Sequence, residues 1–189
     1  MTTQRRLVVT THLEMRDPSR ARPARAPRIE FEMVRAEIPC PELSRFLYTA
    51  VGGRWWWYDR VPWDYARWMA YLDRPALETW VAYVRGTPGG YYELERQDRG
   101  DVEIVCFGVM PGFIGCGLGG ALLFSAVRRA WDMGATRVWV HTCTLDHPHA
   151  LPNYRARGFE IFRIEEKLEE FQAAPIEPWP GAGVPTGAG

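Results

Sequence analysis

The segment Val109-Met110-Pro111-Gly112-Phe113-Ile114-Gly115-Cys116-Gly117-Leu118-Gly119-Gly120 constrains this chain more than any other, because glycines crowd the junction between two strongly patterned stretches. Residues 101–109 alternate as a strand would. Across 117–133, Leu118, Leu122, Leu123, Ala126, Val127, Ala130 and Trp131 form one broad apolar face, with Arg128, Arg129 and Asp132 outside it. Gly134 supplies the stop. A strand that runs through glycines into a helix leaves the first helical N–H groups without carbonyl partners, where the peptide dipoles add partial positive charge. Missing β-carbons let an anion approach those groups. The result is a phosphate site built from backbone.

The glycines alone do not choose a ligand. Gly115, Gly117 and Gly120 satisfy G-x-G-x-x-G, the dinucleotide fingerprint, and glycines can also simply cap a helix. The fingerprint belongs in a tight turn early in a long βαβ series, with an acid ending the next strand. Here Pro111 and several residues separate strand from fingerprint, and the next strand ends Val140-His141-Thr142-Cys143-Thr144. About one helix-strand unit follows, too little to complete a dinucleotide fold. A dinucleotide oxidoreductase is therefore only a lesser alternative.

The segment resembles motif A of the GNAT superfamily of N-acetyltransferases, Val-x-Pro, a spacer, then Arg or Gln-x-x-Gly-x-Gly or Ala. Val109, Pro111, Gly117 and Gly119 fall in register, followed by the apolar pair Leu122-Leu123. Ile114 departs from the pattern, so the backbone must carry more of the pyrophosphate contact. Residues 146–159 resemble motif B through Ala150, Tyr154 and Gly158-Phe159. The resemblance covers about 89–162 well and the first half only in the order of its elements. It implies a mixed α/β fold (α+β mixed sheet) of GNAT type: a mostly antiparallel sheet, splayed between the fourth and fifth core strands and flanked by about four helices. It also implies acetyl-CoA or another acyl-CoA as cofactor, held by Phe107, Gly108, Val109, Ile114, Gly115, Cys116, Gly117, Leu118, Gly119, Gly120 and Asn153.

The reaction so implied is direct attack of an amine on the thioester, with the oxyanion held by backbone N–H groups near Val109. The leaving sulfur needs a proton, and Tyr154 matches the family tyrosine in that role. A phenol with an ordinary pKa near 10 stays protonated at neutral pH. The incoming ammonium must lose a proton, and Glu103, Glu93 and His141 are the candidate bases, with the resemblance pointing first to Glu103.

The acceptor is expected between the two helices that follow the first core strand. Residues 41–50 and 63–72 have helical spacing, and the run Trp55-Trp56-Trp57-Tyr58-Asp59-Arg60 lies between them. Trp56, Trp57, Asp59 and Glu93 are the expected substrate contacts, suited to an amine with an apolar body. Packing of helices on the sheet explains such rings equally well.

The remaining segments complete the order. Residues 7–14 and 29–35 read as strands flanking a Pro- and Arg-rich connection at 17–27, and 79–85 with 90–96 read as a hairpin around Gly-Thr-Pro-Gly-Gly. Residues 137–144 read as a strand, 150–157 as a short helix and 159–166 as a last strand. Since the family has a single opening strand, 7–14 is an addition. One acyltransferase domain is expected over 1–172, with 1–28 as added strand and connection and 173–189 as a flexible Pro/Gly tail.

Lys plus Arg and Asp plus Glu each total 23, a net charge of zero that gathers neither nucleic acid nor anionic membrane. No apolar run spans a membrane or forms a signal peptide. The four cysteines form no C-x-x-C pair, so neither a disulfide framework nor a metal site is expected, and a cytoplasmic location is. Homodimerisation is left open. The function so anticipated is acetyl-CoA-dependent acetylation of a primary amine on a small molecule or amino acid. A catalytically silent acyl-CoA-binding module and a protein N-acetyltransferase are the alternatives.

Overall fold

A computed structural model describes residues 3–172, and the tail expected at 173–189 lies outside the described residues. Its longest regular helix, α3 (Leu118–Asp132), buries the face read from the sequence: Leu118, Leu122, Leu123, Ala126, Val127 and Ala130. They pack on one face of a seven-stranded sheet together with Tyr154 and Leu151 of α4 (Ala150–Ala156). The opposite face carries α1 (Pro41–Gly52) and α2 (Tyr65–Leu72) around Leu47, Tyr48, Val51 and Trp68. Both faces are thus covered over β3 (Leu77–Val84), β4 (Thr87–Arg96) and β5 (Asp101–Val109). Consecutive residues of β4 consequently enter different cores, Tyr91 towards α1 and Tyr92 towards α3.

The remaining strands are β1 (Thr3–Met15), β2 (Glu32–Ala36), β6 (Arg137–Cys143) and β7 (Glu160–Gln172), and the sheet order is β2-β3-β4-β5-β6-β1-β7. Among the described residues only β5 and β6 run parallel, and their pairing covers three positions, Asp101–Arg137, Val102–Val138 and Glu103–Trp139. The N-terminal strand, expected as an addition, is internal to the sheet: β1 pairs with β6 on one side and with β7 along its length on the other. Residues 16–31 must therefore cross the molecule to reach β2 at the opposite edge.

Local differences from the sequence reading have local causes. The hairpin turns at Arg85-Gly86, both with positive φ (51° and 80°), the pairing of a tight two-residue turn, and Thr87 to Gly90 already belong to β4. Trp63 precedes α2, because Asp64 caps the helix by accepting a hydrogen bond from the Arg67 N–H at 2.8 Å. The last strand extends to Gln172 because β1 offers it a partner as far as Thr3.

Candidate active site

A cleft of about 1160 Å³ opens where β5 and β6 part. Beyond Glu103 no pairing with β6 is present among the described residues, while β4 holds the other edge of β5 through Val109. A bulge at Val105 turns the strand there. Phe107, Gly108 and Val109 line the cleft on one side, Val140, His141 and Cys143 on the other. Where β6 ends, the β1–β7 ribbon continues, and Val8, Thr10 and Phe171 close the far wall.

At one end lies the glycine loop. Gly115 and Gly117 have φ of 88° and 92°, a left-handed backbone that makes Gly117 the residue before α3 without any capping side chain. The opening amides of α3 therefore have no side-chain cap. Ile114, Gly115, Gly117, Gly119 and Gly120 line the cleft, as does Asn153, whose Nδ2 donates to the Gly119 carbonyl at 3.2 Å. Leu118, expected at the cofactor, instead points into the core with no exposure. Cys116 is likewise turned aside, its Sγ 2.9 Å from the Phe113 carbonyl.

Tyr154 of α4 lines the cleft with its ring against Phe107 (5.9 Å between centroids) and Phe159 (6.1 Å). Burial, then the charges of Asp146 and Cys106, push its phenol well above the usual range, so it is neutral at physiological pH. His141 faces the cleft across from β5, and Glu103 stands behind it, Oε1 at 3.6 Å from Nδ1. The raised pKa of His141 is owed first to the Glu103 carboxylate beside it and further to attraction by Asp146, against opposing desolvation. Gln97 fixes Glu103 by donating Nε2 to Oε2 at 2.7 Å, and Trp139 Nε1 donates to Gln97 Oε1 at 3.0 Å.

The other end is aromatic. Trp56, Trp57 and Asp59 line the cleft, and Trp55 meets His147 edge to face at 5.0 Å. Glu93 does not join them: it is 1% exposed and accepts from Arg60 Nη1 at 2.7 Å and from the Tyr71 hydroxyl at 2.7 Å. The Arg60 guanidinium lies over the rings of Tyr71, Trp63 and Tyr48. Glu93 is thus consumed by an internal ion pair and corrected from substrate contact to foundation. Sequence reasoning missed Arg60 because its partner is 33 residues away. It also missed Asp146, which accepts from Thr142 Oγ1 at 2.7 Å and the Cys143 N–H at 3.0 Å while facing Trp57 Nε1 at 3.5 Å. No spacing signal links a tryptophan before α2 to the end of β6.

A parted sheet with uncapped helix amides at one end and a buried phenol lining the gap is an acyltransferase-like architecture. The acetyltransferase (GNAT) family matches residues 39–159, and the chain belongs to it. It is similar to an uncharacterised N-acetyltransferase of Mycobacterium tuberculosis, 34% identical over 96 residues covering 51% of this chain. The same figures hold for an uncharacterised N-acetyltransferase of Mycobacterium bovis, and the match spans 61% of the length of each relative. Among solved structures it resembles a tandem GNAT protein from the clavulanic acid biosynthesis pathway (TM-score 0.61, 17% identity, 90% of this chain and 55% of that one). It also resembles a GCN5-related N-acetyltransferase from Sphaerobacter thermophilus (0.59, 18%, 89% and 53%). A third is an acetyltransferase of Bacillus subtilis solved in complex with CoA (0.55, 23%, 71% and 79%). These likenesses concern the fold.

Proposed function

We propose that the protein transfers an acetyl group from acetyl-CoA to a primary amine of a small molecule or amino acid. The observation that carries this reading is the continuity of one cleft from the uncapped α3 amides, along the unpaired edge of β5, to Tyr154 and His141. The residues fit the carrier: backbone N–H groups and positive-φ glycines for a diphosphate, an open strand edge for an extended amide-bearing arm. When bound, acetyl-CoA supplies the activated thioester.

The chain's own groups then divide the proton work. His141, tuned by Glu103, takes the proton that the attacking amine releases as its nitrogen bonds to the acyl carbon. Tyr154 gives one to the sulfur as the C–S bond breaks. Glu103, shielded behind His141, acts through it as a positioning residue. The aromatic end with Asp59 and Asp146 favours a cationic amine bearing an apolar body. No helix among the described residues is long and apolar enough to cross a membrane, and we place this activity in the cytoplasm.

A thiol-release assay with acetyl-CoA over a panel of amines tests the reading. Turnover that falls about 10²- to 10⁴-fold in Tyr154→Phe, with CoA affinity by calorimetry unchanged, supports it. CoA binding without turnover for every amine would make the chain a silent binding module. Stabilisation by NADH and not by CoA would replace it with an oxidoreductase.

A further inference from the structure

The sheet ends in β7, a strand of 13 residues whose sole strand partner among the described residues is β1. Its other edge is open. Val9 of β1 directs both main-chain groups to the β6 side, its N–H donating to Thr144 Oγ1 at 3.2 Å and its carbonyl accepting from the Thr144 N–H at 3.1 Å. Val9 stands opposite Glu166. In an antiparallel ladder such a pair turns its N–H and C=O groups away from each other, so those of Ile164, Glu166 and Leu168 project from the open edge.

Open edges are commonly guarded by charge, which repels or desolvates an arriving strand. The charges of β7 do not repel β7 itself. On one face of the strand Arg163, Glu165, Lys167 and Glu169 alternate in sign, and neighbours pair along it, Arg163 with Glu165 and Lys167 with Glu169. Such a row is complementary to its own reverse. On the other face, the one that carries α3 and α4, Ile164 stands opposite Thr11 and Leu168 opposite Leu7. Leu7, Ile164 and Leu168 are all exposed.

We propose that β7 pairs antiparallel with β7 of a second copy of this chain, about a two-fold axis through Glu166, so that the two sheets become one. That register overlaps the whole strand. It sets Arg163 against Glu169 and Glu165 against Lys167 of the second copy, each pair occurring twice by symmetry, and it joins Ile164 to Leu168. Other registers do worse. Centring on Glu165 opposes Arg163 to Lys167, and centring on Lys167 opposes Glu165 to Glu169. Centring on Ile164 faces Lys167 with Ile161 and leaves the end of the strand unpaired. The Glu166 register alone gives both cations a carboxylate, and its one like-charge contact is Glu166 with its own copy. The inference is independent of the acyl-CoA reading. It touches the cleft only through Glu169 and Phe171, which line it and would be braced by the pairing.

Sedimentation velocity on the full chain over a concentration series, with circular dichroism as the check on folding, tests the pairing. Wild type should show a reversible monomer–dimer equilibrium. Lys167→Glu and Glu165→Lys should each weaken the dimer by about tenfold or more, because each turns two attractive pairs into repulsive ones. The double variant exchanges the two charges and should return to within about threefold of wild type. Glu166→Gln keeps the pairs along the strand and should tighten the dimer by removing the central repulsion; it decides alone if a charge exchange disturbs the fold. Wild type that stays monomeric overturns the proposal. A dimer indifferent to both single charge changes, one that the double variant does not restore, or one that Glu166→Gln leaves unchanged overturns it equally.

Discussion

The two ends of the cleft are made of different material. The glycine end is backbone: uncapped amides of α3, an unpaired edge of β5, and positive φ at Gly115 and Gly117, with Asn153 holding a carbonyl in place. The aromatic end is side chain: Trp56, Trp57, Asp59 and Asp146 at the surface of the cleft, over a buried layer in which Arg60, Glu93 and Tyr71 satisfy one another. Backbone geometry recurs wherever the same local pattern recurs, so the glycine end speaks for a class of carrier. Side-chain networks are particular to one chain, and under the proposed function the aromatic end is where acceptor choice would be set.

The largest expected effect sits under the aromatic end. Glu93→Ala strips Arg60 of its only carboxylate partner among the described residues in a buried site, and breaking such a pair costs about 3–5 kcal/mol. Urea denaturation should show that loss, while CoA affinity measured on the folded variant stays at the wild-type value. A loss below about 1 kcal/mol would mean the aromatic box around Arg60 suffices alone, and the contrast between the ends would weaken.

The glycine end should respond to a single methyl group. Gly117→Ala keeps α3 but forces an L-residue to φ of 92° and sets a Cβ 3.1 Å from Pro27 Cα. Strain of roughly 1–2 kcal/mol follows, and relaxation of the loop should weaken CoA by about tenfold with the acceptor KM unchanged. Calorimetry and initial-rate kinetics read the two separately. An altered acceptor KM with intact CoA affinity would reverse the assignment of the ends.

What could be read from the sequence follows the same division. The α3 face, the glycine loop and the Tyr154 helix were legible because each is local: helical spacing, left-handed glycines and a short motif declare themselves within a dozen residues. The position of β1 was not, since nothing in Leu7 to Met15 says that its partners are β6 and β7. Residues 55–60 were legible as aromatic but not as a layered structure. Only coordinates separate Trp57, which faces the cleft, from Trp63 and Trp68, which enclose Arg60 and the core.

The smallest expected effect concerns the junction between the ends, where His141 meets Glu103. Its pKa is raised above the ordinary 6.5, chiefly by that carboxylate, and a base must be unprotonated to act. kcat/KM should therefore climb with pH on a limb whose midpoint lies above about 6.5. In Glu103→Gln that midpoint should move towards acid, because the amide no longer favours the imidazolium. The stability effect has the opposite pH sense. A raised folded-state pKa contributes stability that is fully present below the unfolded value and disappears as pH rises through the folded one. Glu103→Gln should accordingly reduce stability near pH 5.5 and matter little near pH 8.5, a difference that paired denaturation curves at about those two values would reveal. If the kinetic midpoint stays fixed while the stability difference appears, His141 and Glu103 are coupled but the proton of the amine leaves by another route.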